Sequence, residues 1–182
     1  MTVLADTRAM ASIGALAREF GAVANQIDSA WDRLVASLEK PQTDGDRIAL
    51  VAAARASIDD DVEPLLKTGT RLVALAGAAS LHRDLVWQLG IVVCFAREQR
   101  SSLCSAALAS LEAENFKEEL DRMRGRDRLV WYEEEGFSDM QAEVDDATEY
   151  SLICSARFRT SVNAFLLMVE AACKEKATDV NR

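Results

Sequence analysis

The stretch LHRDLVWQLGIVVCFAREQRSSLCSAALASLEAENFKEELDRM, residues 81–123, decides the fold. Its apolar and small residues, with Gln99 in the same register, fall at Leu85, Leu89, Val92, Ala96, Gln99, Leu103, Ala106, Ser110 and Ala113, in alternating steps of four and three. That spacing keeps one face of an α-helix turned toward a partner along its whole length. At 1.5 Å per residue such a helix is about 65 Å long. A helix of that length buries its seam only against helices of similar length.

The same spacing recurs on both sides. Toward the N-terminus it runs Ile13, Leu16, Phe20, Val23, Ile27, Ala30 and Leu34, with Asp6 or Thr7 as cap and Pro41 plus the turn sequence 42–45 as stop. This predicts a helix over 7–39. A second run carries Ile48, Val51, Arg55 and Ile58 up to Asp59, Asp60 and Asp61, where Asp61 is suited to cap a new helix with Pro64 in its first turn. A break or kink near Asp61–Pro64 is therefore expected, dividing this element into 46–60 and 62–78. The latter part holds Val62, Leu65, Gly69 and Leu72, with Gly69 allowing close approach of a neighbour. Gly77 to Ser80 reads as a turn, and Gly125 as the stop of the 81–123 helix.

The last run reads as a helix over 139–176, with Ser138 and Gln141 as a capping box and Phe137 and Ala142 as a hydrophobic staple. Its seam passes through Val144, Ala147, Ser151, Cys154, Phe158, Ser161, Phe165, Met168 and Ala172. Val162, Leu166 and Val169 add a second apolar row, which suits a central helix contacted on two sides or, as the other reading, a homodimer interface. Matched lengths and short connections predict an all-α, antiparallel up-down-up-down bundle of four long helical elements, forming one domain over 1–182.

Composition agrees. Hydrophobic residues make up 49% and charged residues 28% of the 182, with two prolines, so the chain can bury a core without disulfides or a structural metal. A net charge of −9 argues against general nucleic-acid binding and against an anionic membrane surface. The apolar stretch from Leu85 to Ala96 is interrupted by Gln88 and falls short of the roughly 20 residues that span a bilayer. Asp6, Arg8, Arg18 and Glu19 interrupt any signal-peptide core, so a cytoplasmic location is expected. Cys94, Cys104, Cys154 and Cys173 lie in apolar helical sequence with no C-x-x-C, and read as reduced core residues.

Groups suited to catalysis are few. His82 is the sole histidine, which removes Ser-His-Asp and Cys-His arrangements, multi-histidine metal sites and the Glu-x-x-His pairs of di-iron bundles. A histidine phosphotransfer bundle also presents one histidine on a helix, but His82 is followed by Arg83, Asp84, Leu85 and Val86 rather than the basic-then-small pattern of those domains. Glu118 with Asp121 and Glu143 with Asp146 form two acidic three-spaced pairs, a pattern that resembles the magnesium site of the all-α nucleotide pyrophosphohydrolases. The first pair ends in Asp121 where that family has Glu, and a chain with 30 acidic residues produces such pairs by chance.

The compositional anomaly is 121–137, where Arg122, Arg124, Arg126 and Arg128 precede Trp131, Tyr132, Glu133, Glu134, Glu135 and Phe137. Arginine with Trp and Tyr is the chemistry of interface anchors. Arg124, Arg126, Arg128, Trp131, Tyr132 and Phe137 are thus the partner-binding candidates, the competing reading being that Trp131 and Phe137 plug the end of the bundle. The expected function is a non-enzymatic helical-bundle interaction protein: an adaptor, regulator or small-ligand sensor with a protein partner or small ligand, and no cofactor or metal. A magnesium-dependent pyrophosphohydrolase and a phosphotransfer-like bundle are the alternatives. In the sensor form the ligand would meet buried polar positions such as Gln99, Ser110, Ser151 and Ser161, unless backbone carbonyls satisfy them.

If the acidic pairs are a solvated face, millimolar magnesium should leave the melting temperature almost unchanged, because a cation bound to the native state would raise it. A rise of several degrees, lost in Glu118→Gln and Glu143→Gln, would favour the hydrolase.

Overall fold

The three-four rows become largely buried helix faces, except that Ile48 and Arg55, expected on the row of the second element, are exposed. The computed structural model describes residues 2–38, 43–76, 82–123 and 130–180. They form α1 (Thr2–Asp28), α2 (Ala30–Leu38), α3 (Asp44–Ala76), α4 (His82–Met123) and α5 (Val130–Val180), with no strand among the described residues. α1 and α2 are the halves of one bent element, so the chain makes an all-α bundle of four long elements.

Cross-helix contacts fix the direction of each neighbour. Between α3 and α4, Arg47 pairs with Glu114, Asp59 with Arg100, and Gly69 abuts Leu89. Between α4 and α5, Gln88 Nε2 donates to Ser161 O at 3.2 Å, and Tyr150 Oη to Glu98 Oε1 at 2.7 Å. Between α1 and α5, Phe20 packs on Phe165 and Asp28 meets Ser155. Residue numbers rise on one helix as they fall on the other, so these neighbours are antiparallel.

Leu85, Leu89, Val92, Ala96, Gln99, Leu103, Ala106 and Ala113 are all buried, as the opening stretch requires, and Ser110 is half-buried. The layer holding all four elements together joins Phe20 of α1, Gly69 of α3, Leu89 of α4 and Phe165 of α5. The two phenyl rings lie 4.9 Å apart, tilted by 43°, a favourable aromatic geometry. In α5 the second apolar row is core: Val162 and Val169 are buried and Leu166 half-buried, and the helix packs on α1, α3 and α4. By length and composition, 136–175 also contains a stretch apolar enough to cross a membrane. The residues that make it apolar include Cys154, Phe158, Phe165 and Val169, which are buried in the bundle.

Three boundaries differ from expectation. No break divides the second element, because α3 runs as one helix from Asp44 to Ala76 with Pro64 inside it. Pro64 is on the solvent side, while Ile58, Val62 and Leu65 on the other side are buried. Their packing offsets a proline cost of about 3 kcal/mol. The irregularity falls instead at Ser29, inside the expected 7–39 helix. The last helix begins at Val130 rather than near 139, so Ser138 is interior and Gln141 Nε2 bonds Asp145 Oδ1 at 3.2 Å instead of closing a capping box. At α3 the box exists: Asp46 N bonds Thr43 Oγ1 at 3.3 Å and Thr43 N bonds Asp46 Oδ2 at 3.2 Å. The Thr43 hydroxyl, which donates to Asp46 Oδ2 at 2.7 Å, and then the Thr43 N–H hold the Asp46 carboxyl below its ordinary pKa. The expected turn over 77–80 and the stop at Gly125 lie outside the described residues.

Two glycines give opposite expectations. A Cβ at Gly69 would overlap Leu89 Cδ1 and stand 3.1 Å from Phe20 Cε2, whereas one at Gly90 meets nothing within 4 Å. Replacing a mid-helix glycine by alanine gains roughly 0.5–1 kcal/mol, and overpacking a core costs roughly 1–3 kcal/mol. Gly90→Ala should therefore raise the denaturation midpoint and Gly69→Ala lower it, as urea melts would show.

Candidate functional site

The bend at Ser29 arises from side chains that compete for backbone carbonyls, since no proline or glycine is there. Ser29 Oγ donates to Gln26 O at 3.3 Å and Arg33 Nη2 donates to the same oxygen at 2.9 Å. Arg33 Nη1 donates to Ser29 Oγ at 2.6 Å, tying both sides of the bend together. The next two carbonyls, of Ile27 and Asp28, turn inward and receive the Gln99 amide of α4, whose Nε2 lies 3.4 and 3.5 Å away.

Gln99 is 2% exposed, and its other amide atom, Oε1, is buried with no hydrogen-bond partner among the described residues. Two carbonyls require the NH2 group on their side, so the carbonyl end of the amide faces the other way. An unsatisfied buried acceptor costs about 1–3 kcal/mol. Gln99 forms part of the wall of a cavity of about 200 Å³, which also includes Asp28, Trp31, Asp32, Ser151, Ser155 and Arg159. The cavity therefore lies where α1 turns into α2, between α4 and α5.

Its polar groups are ordered. Ser155 Oγ donates to Asp28 Oδ1 at 2.6 Å, and Arg159 Nε lies 2.8 Å from Asp28 Oδ2. Arg159 Nη2 donates in turn to Ser155 Oγ at 2.8 Å. Ser151 is 6% exposed and makes no hydrogen bond among the described residues. By contrast, Ser110 and Ser161 donate to the carbonyls of Ala106 and Phe158, which satisfies them within their own helices. Of the four buried polar positions singled out in the sequence, Gln99 and Ser151 come together at one cavity and the serines at 110 and 161 do not.

The other candidates lie partly outside the described residues. Arg124, Arg126 and Arg128 lie outside the described residues. Trp131 and Tyr132 fall in the first turn of α5, and their side chains are outside the described set. Phe137 is half-buried. Glu118, Asp121, Glu143 and Asp146 are all exposed, and Glu118 pairs with Arg122 at 3.1 Å. No group of three or more His, Cys, Asp or Glu suited to a metal ion occurs among the described residues. His82 is exposed at the first position of α4. Cys154 and Cys173 are buried, but Cys94, read as core, is exposed on the outer face of α4. On that face, beside Gly90 and Cys94, Trp87 is 72% exposed. Sequence inspection missed it because Trp87 stands beside the seam residues Leu85 and Leu89 without belonging to their row. Comparison with known protein families, with curated proteins and with solved structures finds no match for this chain.

Near the cavity, the Tyr150 phenol is pushed up to about 12, chiefly by its hydrogen bond to Glu98. An acid raised above its unfolded value of about 10 contributes stability that is complete below that pH and is lost as pH rises toward the folded value. In a Tyr132→Phe background, absorbance titration at 295 nm should find Tyr150 ionising well above pH 10, and Glu98→Gln should bring it back toward 10.

Proposed function

We propose that this protein is a non-enzymatic sensor bundle that binds a small polar ligand where its first element bends. The observation that carries the reading is Gln99 Oε1, a buried acceptor with no partner among the described residues, on a side chain that walls a cavity beside Ser151 and the Asp28–Arg159 pair. A core position filled by an unsatisfied amide is disfavoured for stability alone, since an apolar side chain would remove the unmet acceptor. A ligand that enters the cavity with a donor would draw the amide toward it and satisfy that acceptor.

The same side chain suits signal transmission. Gln99 Nε2 holds the Ile27 and Asp28 carbonyls at the bend while Oε1 is left for the ligand. Occupancy then biases the position of one amide that touches both the site and the hinge between α1 and α2. Differential affinity for two arrangements of α2 is all that a switch requires.

Gln99→Met retains the volume and removes the amide. The two bonds it loses are long, and the acceptor it removes is unmet, so the unfolding free energy without ligand should change by less than about 1 kcal/mol in denaturant melts. A thermal-shift screen of small polar metabolites should then find compounds that stabilise the parent by several degrees and leave Gln99→Met unmoved. The reading fails if no compound stabilises the parent, or if every shift is the same in both proteins.

A further inference from the structure

Independently of the ligand site, we infer that the outer face of α4 is a homodimer interface, on which a second copy packs its own α4 antiparallel about a two-fold axis at Gly90 and Ile91. That face is turned away from the buried row of Leu85, Leu89, Val92 and Ala96. Trp87 is 72% exposed and Val86 52%, and with the exposed Gly90 and Cys94 they border one hollow. Single exposed apolar residues are ordinary, whereas a contiguous exposed patch marks an interaction surface. Gly90 belongs to the patch for a second reason. A mid-helix glycine with open space around it weakens the helix, and its missing side chain lets another backbone come close.

The order of residues along the face selects the occupant. At 3.6 residues per turn, Arg83, Trp87, Cys94 and Glu98 fall within about 60° of one another around the helix, with Gly90 and Ile91 flanking the middle. Taken inward from its two ends, the face matches Arg83 with Glu98, Trp87 with Cys94, and Gly90 with Ile91. The outer match joins a cation to an anion, and the inner two join a large side chain to a small one. A two-fold interface sets residue i against j and j against i. A face reciprocal about its own midpoint is therefore complementary to a second copy of itself. Other registers lose this property. An axis at Trp87 sets Arg83 against Ile91, an axis at Cys94 sets Glu98 against Gly90, and a parallel pairing sets Arg83 against Arg83. Each leaves a charge on an apolar surface or against a like charge.

The flank toward α5 fits the same register. Arg83 and Asp84 pair with no opposite charge among the described residues. Arg157 stands 3.7 Å from Glu98, so the end that offers Glu98 to Arg83 of the second copy also offers a cation to its Asp84. Arg97, exposed on the opposite flank, stays in solvent. Beside Cys94, the groove between α4 and α5 is lined by Ile91, Phe95, Ile153 and Ala156, which gives the indole of the second copy's Trp87 an apolar seat.

Sedimentation equilibrium of the full chain between about 1 µM and 1 mM should show a monomer–dimer equilibrium. Trp87→Ala and Gly90→Gln, both at exposed positions, should each weaken dimerisation at least tenfold and leave the thermal melt of the dilute monomer cooperative. Arg83→Glu and Glu98→Lys should each weaken it at least tenfold, because both ends of either homodimer then hold like charges. Mixed in equal amounts, these two variants should associate within threefold of the parent, since each end of the mixed dimer again holds one cation and one anion. A parent that stays monomeric throughout, a dimer that either Trp87→Ala or Gly90→Gln leaves intact, or a mixture no tighter than its components would overturn the inference.

Discussion

Everything in this bundle is referred to one crowded layer, where Phe20, Gly69, Leu89 and Phe165 meet. The absent side chain at Gly69 is what lets Leu89 and Phe20 occupy the same level of the core. Once those contacts are made, α1, α3, α4 and α5 cannot slide past one another without forcing side chains through a close-packed interior. Asp28 lies eight residues beyond Phe20, about 12 Å along the helix. The bend is thus built on a helix that is clamped two turns before it. Helical bonds continue through the bend, from Ser29 N to Asn25 O at 3.0 Å and from Arg33 N to Ser29 O at 3.1 Å, and α2 packs on α3 beyond it.

Helical periodicity carries most of this architecture, because a row repeating every three and four residues has one geometric meaning when it persists for nine positions. Leu85 to Ala113 needed no tertiary information. Local punctuation was less informative. Asp61 and Pro64 suggested a break or kink, yet Pro64 is on the solvent side and the helix continues, since its cost is borne by Ile58, Val62 and Leu65 packing across the core. Ser138 and Gln141 offered a cap, yet the residues before them hold no proline and continue the helix back to Val130. Capping residues state where a helix could begin, and here the helix runs on past them.

The site was half legible for a related reason. Gln99 and Ser151 betray themselves as polar residues in apolar rows, a signal available from spacing alone. Asp28, Arg159 and Ser155 give no such signal. Asp28 is one acidic residue among 30, and its partners lie more than 120 residues away. What joins them is the antiparallel register of α1 and α5, which a row of apolar residues specifies only once both helices are docked. The bend itself was invisible, because Ser29 and Arg33 break helix geometry through hydrogen bonds that depend on rotamers rather than on composition.

The contrast between the buried serines and the buried glutamine shows why the cavity is the place to look for function. A serine in a helix resolves its own burial by bonding a carbonyl three or four residues back, as Ser102, Ser110 and Ser161 do. A glutamine cannot, because its amide is too distant from its own backbone and brings two donors and an acceptor that all need partners. Placing one in a core therefore commits two other elements to serve it. Here α1 serves the donors with the Ile27 and Asp28 carbonyls, and no described element serves the acceptor. A leucine at 99 would extend the seam between Ala96 and Leu103 without that cost. Retaining the amide makes sense if the missing donor arrives from outside the chain.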